Sequence, residues 1–204
     1  MLVKICGITR EQDACTAVEQ GAHAVGFIFW ARSPRFVEPS LVRRIVRTLP
    51  PFVTPVGVFV NESADRINAV AEQAHLGAVQ LHGDESLDLL AAIDRPIIKS
   101  VSQLAPDTAD RWPSTVMLLV DADDPARRGG TGLKADWHAA SRLAVRRPVL
   151  LAGGLTPENV EEAIDTVGPF GIDISSGVES APGIKSPQRI KSLFEAIRRA
   201  TEAQ

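Results

Sequence analysis

Cysteine is scarce in this sequence. Two residues in 204 cannot staple a chain of this length into a disulfide framework. Positive charge is not in excess either: 22 basic side chains face 25 acidic ones, a formal net charge of −3. That excludes a protein built to neutralise a phosphate backbone, so no nucleic-acid partner is expected. No apolar run approaches the roughly 20 residues needed to cross a bilayer, so no membrane partner is expected. The opening residues, Met1 to Cys6, lack a charged stretch followed by a long apolar one. No secretory leader and a cytoplasmic location are therefore expected. With 15 glycines and 14 prolines, collagen-like and low-complexity organisation is excluded too. No Gly-x-Gly-x-x-Gly follows a strand pattern, and no His/Cys/Asp cluster has metal-ligand spacing. No metal or cofactor is expected.

What is present is an ordinary globular composition, 45% apolar and 23% charged. Eight short apolar runs recur along the chain, at 2–6, 24–29, 54–60, 78–81, 96–101, 116–120, 148–152 and 170–174. Most are near-continuous rather than alternating, as strands buried on both faces should be. Helical patterns lie between them. Thr9 and Gln12 fit a capping box, and Gly21 fits the left-handed position after the helix. Val42, Ile45, Val46 and Leu49 share one helical face, as do Ile67, Val70, Ala71 and Ala74. Thr156-Pro157 and Ser186-Pro187 read as helix starts. Apolar stripes follow at Val160, Ala163, Ile164 and Val167, and at Ile190, Leu193, Phe194 and Ile197. Weaker helical stretches follow Gly83, Pro106 and Gly132. Eight β-α units of about 25 residues predict an α/β fold. It is a single (β/α)8 TIM barrel of near-minimal length, with residues 1–204 forming one catalytic domain. An open doubly wound sheet is the alternative.

In such a barrel, chemistry sits just beyond the carboxyl ends of the strands. Cys6 ends the first run beside Gly7, as a base or nucleophile or as a small buried hydrophobe. Cys15, inside a helical stretch, reads as structural. Arg35 follows the second run on a loop stiffened by Pro34, either aimed at a carboxylate or solvated. His82 follows the fourth run directly before a glycine. His23 precedes a strand, and His75 and His138 fall on helices or loops. Asp121 ends the sixth run, either as a general acid whose protonated form burial would favour or as a helix cap or solvated loop acid. Residues 123–132 are long and glycine-rich for a β-α loop and read as a lid. Gly153 and Gly154 after the seventh run, and Ser175, Ser176 and Gly177 after the eighth, suit an anion held by backbone N–H groups.

Several stretches together resemble the phosphoribosylanthranilate isomerase family. They are Lys4-Ile5-Cys6-Gly7-Ile8-Thr9, Gly26-Phe27-Ile28-Phe29 with Ser33-Pro34-Arg35, and Val56-Gly57-Val58-Phe59. Val79-Gln80-Leu81-His82-Gly83, Gly129-Gly130-Thr131-Gly132 and Leu151-Ala152-Gly153-Gly154-Leu155 continue the likeness. Ser175-Ser176-Gly177-Val178-Glu179 with Pro182-Gly183-Ile184-Lys185 completes it. The resemblance runs from residue 4 to about residue 187 and implies a cofactor-independent Amadori rearrangement in tryptophan biosynthesis. It implies Cys6 as general base and Asp121 as general acid, with Arg35 on the anthranilate carboxylate. It places the phosphate at Gly153, Gly154, Ser175, Ser176 and Gly177, with His82 and Asp173 lining the site. The implied partner is a small molecule, phosphoribosylanthranilate, bound by a monomer or homodimer. Asp121 is then expected protonated, and Cys6 ionised by nearby cations or amide dipoles. Two departures stand out. Ala135-Asp136-Trp137 replaces the usual Phe-Asp-Trp, and Ser186 replaces a usual acidic residue. The alternatives are another phosphate-binding barrel enzyme, such as an indole-glycerol-phosphate synthase or a sugar-phosphate epimerase, and a non-catalytic barrel that binds a phosphorylated ligand.

Overall fold

The apolar runs become eight parallel strands closed into a barrel, each paired with its sequence neighbour and the last with the first. The computed structural model describes residues 1–102, 107–122 and 135–202, with only the backbone of Ala109. The loop at 123–132 and its Gly129-Gly130-Thr131-Gly132 motif lie outside the described residues.

The strands are β1 (Leu2–Ile5), β2 (Ala24–Ile28), β3 (Thr54–Phe59), β4 (Ala78–Leu81), β5 (Ile97–Val101), β6 (Met117–Val120), β7 (Val149–Leu151) and β8 (Gly171–Ile174). The helices between them are α1 (Glu11–Gln20), α2 (Pro39–Val46), α3 (Ala64–Ala74), α4 (Thr108–Arg111), α5 (Trp137–Ala144) and α6 (Val160–Val167), with α7 (Pro187–Glu202) closing the chain. The stretch after β4 is a 3-10 segment, Leu87–Ala92, and α4 is a single turn, so the helical layer is thinnest beside β5. After β8 come a 3-10 turn, Ser176–Val178, and an antiparallel hairpin of β9 (Glu179–Ala181) and β10 (Ile184–Lys185).

Side chains alternate across each strand. Val3, Ile5, Val25, Phe27, Val79, Leu81, Leu118, Val120, Leu151 and Ile172 join the large apolar cluster beneath the helices. The opposite set fills the lumen in two small clusters, Ala24, Val56 and Ala78, and Leu119, Leu150 and Ala152, both bridged by Ile98. Lys4, Gln80 and Asp173 belong to that inward set by register. One pleat further on, the same parity delivers Cys6, His82, Asp121 and Ser175 to the barrel's mouth.

The predicted stripes are buried: Ile67, Val70, Ala71 and Ala74 on α3, Val160, Ala163, Ile164 and Val167 on α6, and Ile190, Leu193, Phe194 and Ile197 on α7. Gly21 takes the left-handed conformation after α1. Ser63, Asp136 and Ser186 accept from backbone N–H groups at the starts of α3, α5 and α7. Three expectations at helix ends are corrected. Thr9 forms no capping box, because its hydroxyl donates to the Gly183 carbonyl in the β9–β10 hairpin and Arg10 becomes the N-cap residue. The Thr156 turn precedes α6, which starts at Val160 because Asn159 ties the Thr156 N–H to the Gly154 carbonyl. Leu49 lies beyond the end of α2 and packs on the core from the following turn.

Candidate active site

Lys4 on β1 stands beside Asp173 on β8 in the parallel register. Their side chains meet at 2.9 Å, fully enclosed in the lumen. Burial pushes the Lys4 ammonium down, but Asp173 foremost, with Cys6 when ionised, more than restores it, leaving it above the ordinary value. Cys6 lies directly above, only 6% exposed. Both side chains converge on Gly26 of β2, where a Cβ would sit 2.8 Å from Cys6 Sγ and 3.0 Å from Lys4 Nζ. Glycine makes the room that the thiol and the ammonium share. Burial pushes the Cys6 thiol up, and Lys4 and Lys185 pull it back only in part. The expected cations are thus in place, but desolvation outweighs them, so the thiol form is favoured. This corrects the expectation of an ionised Cys6.

Arg35 is buried on the loop after β2, yet its fork does not point freely into the mouth. Nε and one terminal nitrogen each donate at 2.8 Å to the Glu179 carboxylate, a bidentate pair. Lys185 shares the same carboxylate at 2.8 Å and donates to the Ser175 carbonyl at 3.0 Å. Burial pushes the Glu179 carboxyl up, but Arg35 and Lys185 together outweigh it and hold it below the usual range. The hairpin that carries Glu179 and Lys185 is tied down by Asp13, which accepts from the Lys185 N–H and pairs with Arg10 at 2.7 Å.

Across the mouth, His82 Nε2 meets Asp121 Oδ2 at 3.3 Å. Asp121 Oδ1 accepts from the Ala122 N–H at 2.8 Å. His82 Nδ1 faces the Gln80 amide nitrogen at 2.8 Å. Behind this loop Lys99 pairs with Glu85 at 2.7 Å and donates to the Gly83 carbonyl at 2.6 Å. Two buried side-chain oxygens among the described residues, Gln80 Oε1 and Ser175 Oγ, have no hydrogen-bond partner.

Beyond β7 and β8 lies a cleft of about 320 Å³, lined by Gly154, Leu155, Thr156, Ser176, Gly177, Glu179 and Arg189. Gly153 and Gly154 both have positive φ. A side chain on Gly177 would overlap the Leu155 carbonyl oxygen. The two turns therefore close on one another backbone to backbone.

Residues 3–196 match the N-(5'-phosphoribosyl)anthranilate (PRA) isomerase family. The chain belongs to that family. An N-(5'-phosphoribosyl)anthranilate isomerase of Geotalea uraniireducens is 45% identical over 200 residues, 97% of each chain. Phosphoribosyl anthranilate isomerase from Thermus thermophilus superposes with a TM-score of 0.90 at 38% identity, covering 98% of this chain and 99% of that one. A family structure in complex with reduced 1-(o-carboxyphenylamino)-1-deoxyribulose 5-phosphate superposes at 0.85 with 40% identity, covering 98% and 100%. A dimeric enzyme from Thermotoga maritima, studied as monomers, superposes at 0.85 with 39% identity, also covering 98% and 100%. No helix among the described residues is long and apolar enough to cross a membrane.

For this family member, the structure gathers Cys6, Asp121, His82, Asp173 and the glycine turns at one end of the barrel. It adds five polar residues to which the sequence reading gave no role: Lys4, Gln80, Glu179, Lys185 and Arg189. Lys4 and Gln80 carried a signal, since each is a polar residue inside an apolar run and two positions before a site residue. Glu179, Lys185 and Arg189 carried none of that kind. Cys15 is half-buried on α1 and away from the strand ends. His23 accepts from the Val3 N–H at the opposite end of the barrel.

Proposed function

We infer that the whole chain acts as one catalytic domain that isomerises N-(5'-phosphoribosyl)anthranilate in tryptophan biosynthesis. The observation that carries the reading is the placement of a buried thiol after β1 and a carboxyl after β6 on the same rim as the paired glycine turns. The phosphate is held by the backbone around Gly153, Gly154, Ser175, Ser176 and Gly177, with Arg189 beside the cleft. Arg35 receives the anthranilate carboxylate on the guanidinium edge that Glu179 leaves open. His82 and Asp173 line the site between these anchors.

Asp121 gives a proton to the furanose ring oxygen. The bond from C1 to that oxygen breaks as the nitrogen lone pair forms the Schiff base. Cys6, as thiolate, takes the proton from C2, and the C2–H electrons become the C1–C2 double bond of an enolamine. Proton return to C1 and loss of the C2 hydroxyl proton give the aminoketose. A thiolate that is costly to form is the stronger base once formed. Lys4 is the cation nearest to offset that cost. Anchors at both ends of the substrate make the two proton transfers effectively intramolecular. The reaction needs no cofactor.

The chain is read as cytoplasmic, and as a monomer or homodimer, the latter supported by its dimeric relative. The test is direct. Purified protein is mixed with phosphoribosylanthranilate generated in situ, and the loss of its anthranilate-type fluorescence is followed. Rapid loss is expected; none at high protein concentration would refute the assignment.

A further inference from the structure

Gln80 is 1% exposed and lies in the lumen on β4. Strand period places it two residues before His82 on the same face. With its amide nitrogen donating at 2.8 Å, His82 Nδ1 must be bare and Nε2 must carry the hydrogen. Nε2 lies 3.3 Å from Asp121 Oδ2 as a charge contact, while Ala122 donates to Oδ1. A hydrogen on Nε2 facing Oδ2, with the Ala122 N–H on Oδ1, suits an ionised Asp121. A general acid needs the opposite. If the added proton sits on Asp121 Oδ2 and is directed at His82, Nε2 must become the acceptor and the ring hydrogen must move to Nδ1. If the proton sits on the ring instead, Nδ1 again carries hydrogen. In either case the Gln80 amide nitrogen would face another donor. Only its Oε1, which is buried without a partner, can accept from Nδ1–H.

We propose that Gln80 is a positioning residue for the acid. Its buried amide turns to present Oε1 to His82 Nδ1–H whenever the His82–Asp121 pair takes up the proton destined for the substrate's ring oxygen. The inference rests on the assignment of Asp121 as acid and extends it to a three-group relay, Gln80–His82–Asp121. No group is oxidised or reduced. One proton enters from water when the amide turns and leaves to the ring oxygen when it turns back. Among the described residues, the other charged groups deep in the mouth are paired: Lys4 with Asp173, Lys99 with Glu85, and Arg35 and Lys185 with Glu179. Cys6 lies on the Lys4 side.

The experiment compares Gln80→Glu, Gln80→Leu and the parent protein. It reads the pH profile of kcat and the 15N signals of His82 in labelled protein. Gln80→Glu offers a permanent acceptor. Its basic limb should move to higher pH by about one unit, the worth of one strengthened buried hydrogen bond. His82 Nδ1 should stay protonated over the same wider range. Gln80→Leu leaves a buried N–H without an acceptor whenever the pair is protonated. It should lower kcat about tenfold at neutral pH with KM changed less than about twofold, and move the limb downward. Thermal unfolding checks that both variants fold, and Gln80→Glu alone carries the test if Gln80→Leu does not. Unchanged profiles and unchanged His82 signals, alongside an inactive Asp121→Asn, overturn the relay. Full turnover in Asp121→Asn overturns the acid assignment itself.

Discussion

On the β1–β8 side of the mouth, Lys4, Asp173, Arg35, Glu179 and Lys185 form a nearly closed ledger of charge. Each has an opposite partner at 2.8 or 2.9 Å. On the β4–β6 side, His82 and Asp121 meet at 3.3 Å and the Gln80 oxygen beside them is unpartnered. The ion pair on that side, Lys99 with Glu85, props the loop from behind the strand and contacts neither group. A saturated network resists rearrangement, because every group that moves must leave a partner in low dielectric. An under-satisfied one has two arrangements of similar cost. The charged groups of the anchoring and base side are thus fixed, although Ser175 Oγ among them is unpartnered, and the acid side retains freedom to shift a proton.

The comparison is broken most severely at its two chemical groups. Cys6→Ser and Asp121→Asn should each lower kcat by about 10²- to 10⁴-fold, the usual worth of a positioned acid or base. Fluorescence turnover assays check both, with unchanged far-ultraviolet circular dichroism showing that the barrel persists. Near-parental turnover in either variant removes that residue from the mechanism.

Glu179→Ala attacks the saturated side. It leaves Arg35 and Lys185 as buried cations without their shared carboxylate, and breaking a buried pair this way costs about 3–5 kcal/mol. Urea unfolding measures it. A loss under about 1 kcal/mol would mean that the network is solvated in practice and the contrast between the two sides is overstated. Gly177→Ala presses the two phosphate-side turns apart, since the new methyl meets the Leu155 carbonyl. It should raise KM about 10- to 100-fold, the price of one or two misplaced anchoring contacts. An unchanged KM would move the phosphate elsewhere.

These contrasts show where sequence alone reaches. The eight strands were legible because burial on both faces leaves an unbroken apolar run. The ends of those runs then named Cys6, His82 and Asp121, and the family resemblance added Asp173. Gly21 and the stripe from Val160 to Val167 were legible because their signals are local. Thr9 was misread because its hydroxyl is taken by Gly183, 174 residues away. Arg35 was placed correctly, but its partner Glu179 lies 144 residues on, and no local pattern records that meeting. The same holds for Lys4 with Asp173, 169 residues apart. Parity along the strand would have exposed Lys4 and Gln80, had polar residues inside apolar runs been read as lumen groups.

The gentlest probe of the saturated side is acid. Glu179 is held below the ordinary carboxylate value of 4.5 by Arg35 and Lys185 against the pull of burial. A carboxyl depressed in the folded state binds protons more weakly there than in the unfolded chain. Its contribution to stability is therefore complete above the unfolded value. It is lost progressively as pH falls through 4.5 and then through the lower folded value. Urea midpoints should decline over that window in the parent protein. Glu179→Gln keeps the shape and removes the titration, so its decline should be shallower across the same range. Equal slopes in the two proteins would place the acid sensitivity at other carboxyls. The hairpin that carries Glu179 would then contribute little to the rigidity of the β1–β8 side.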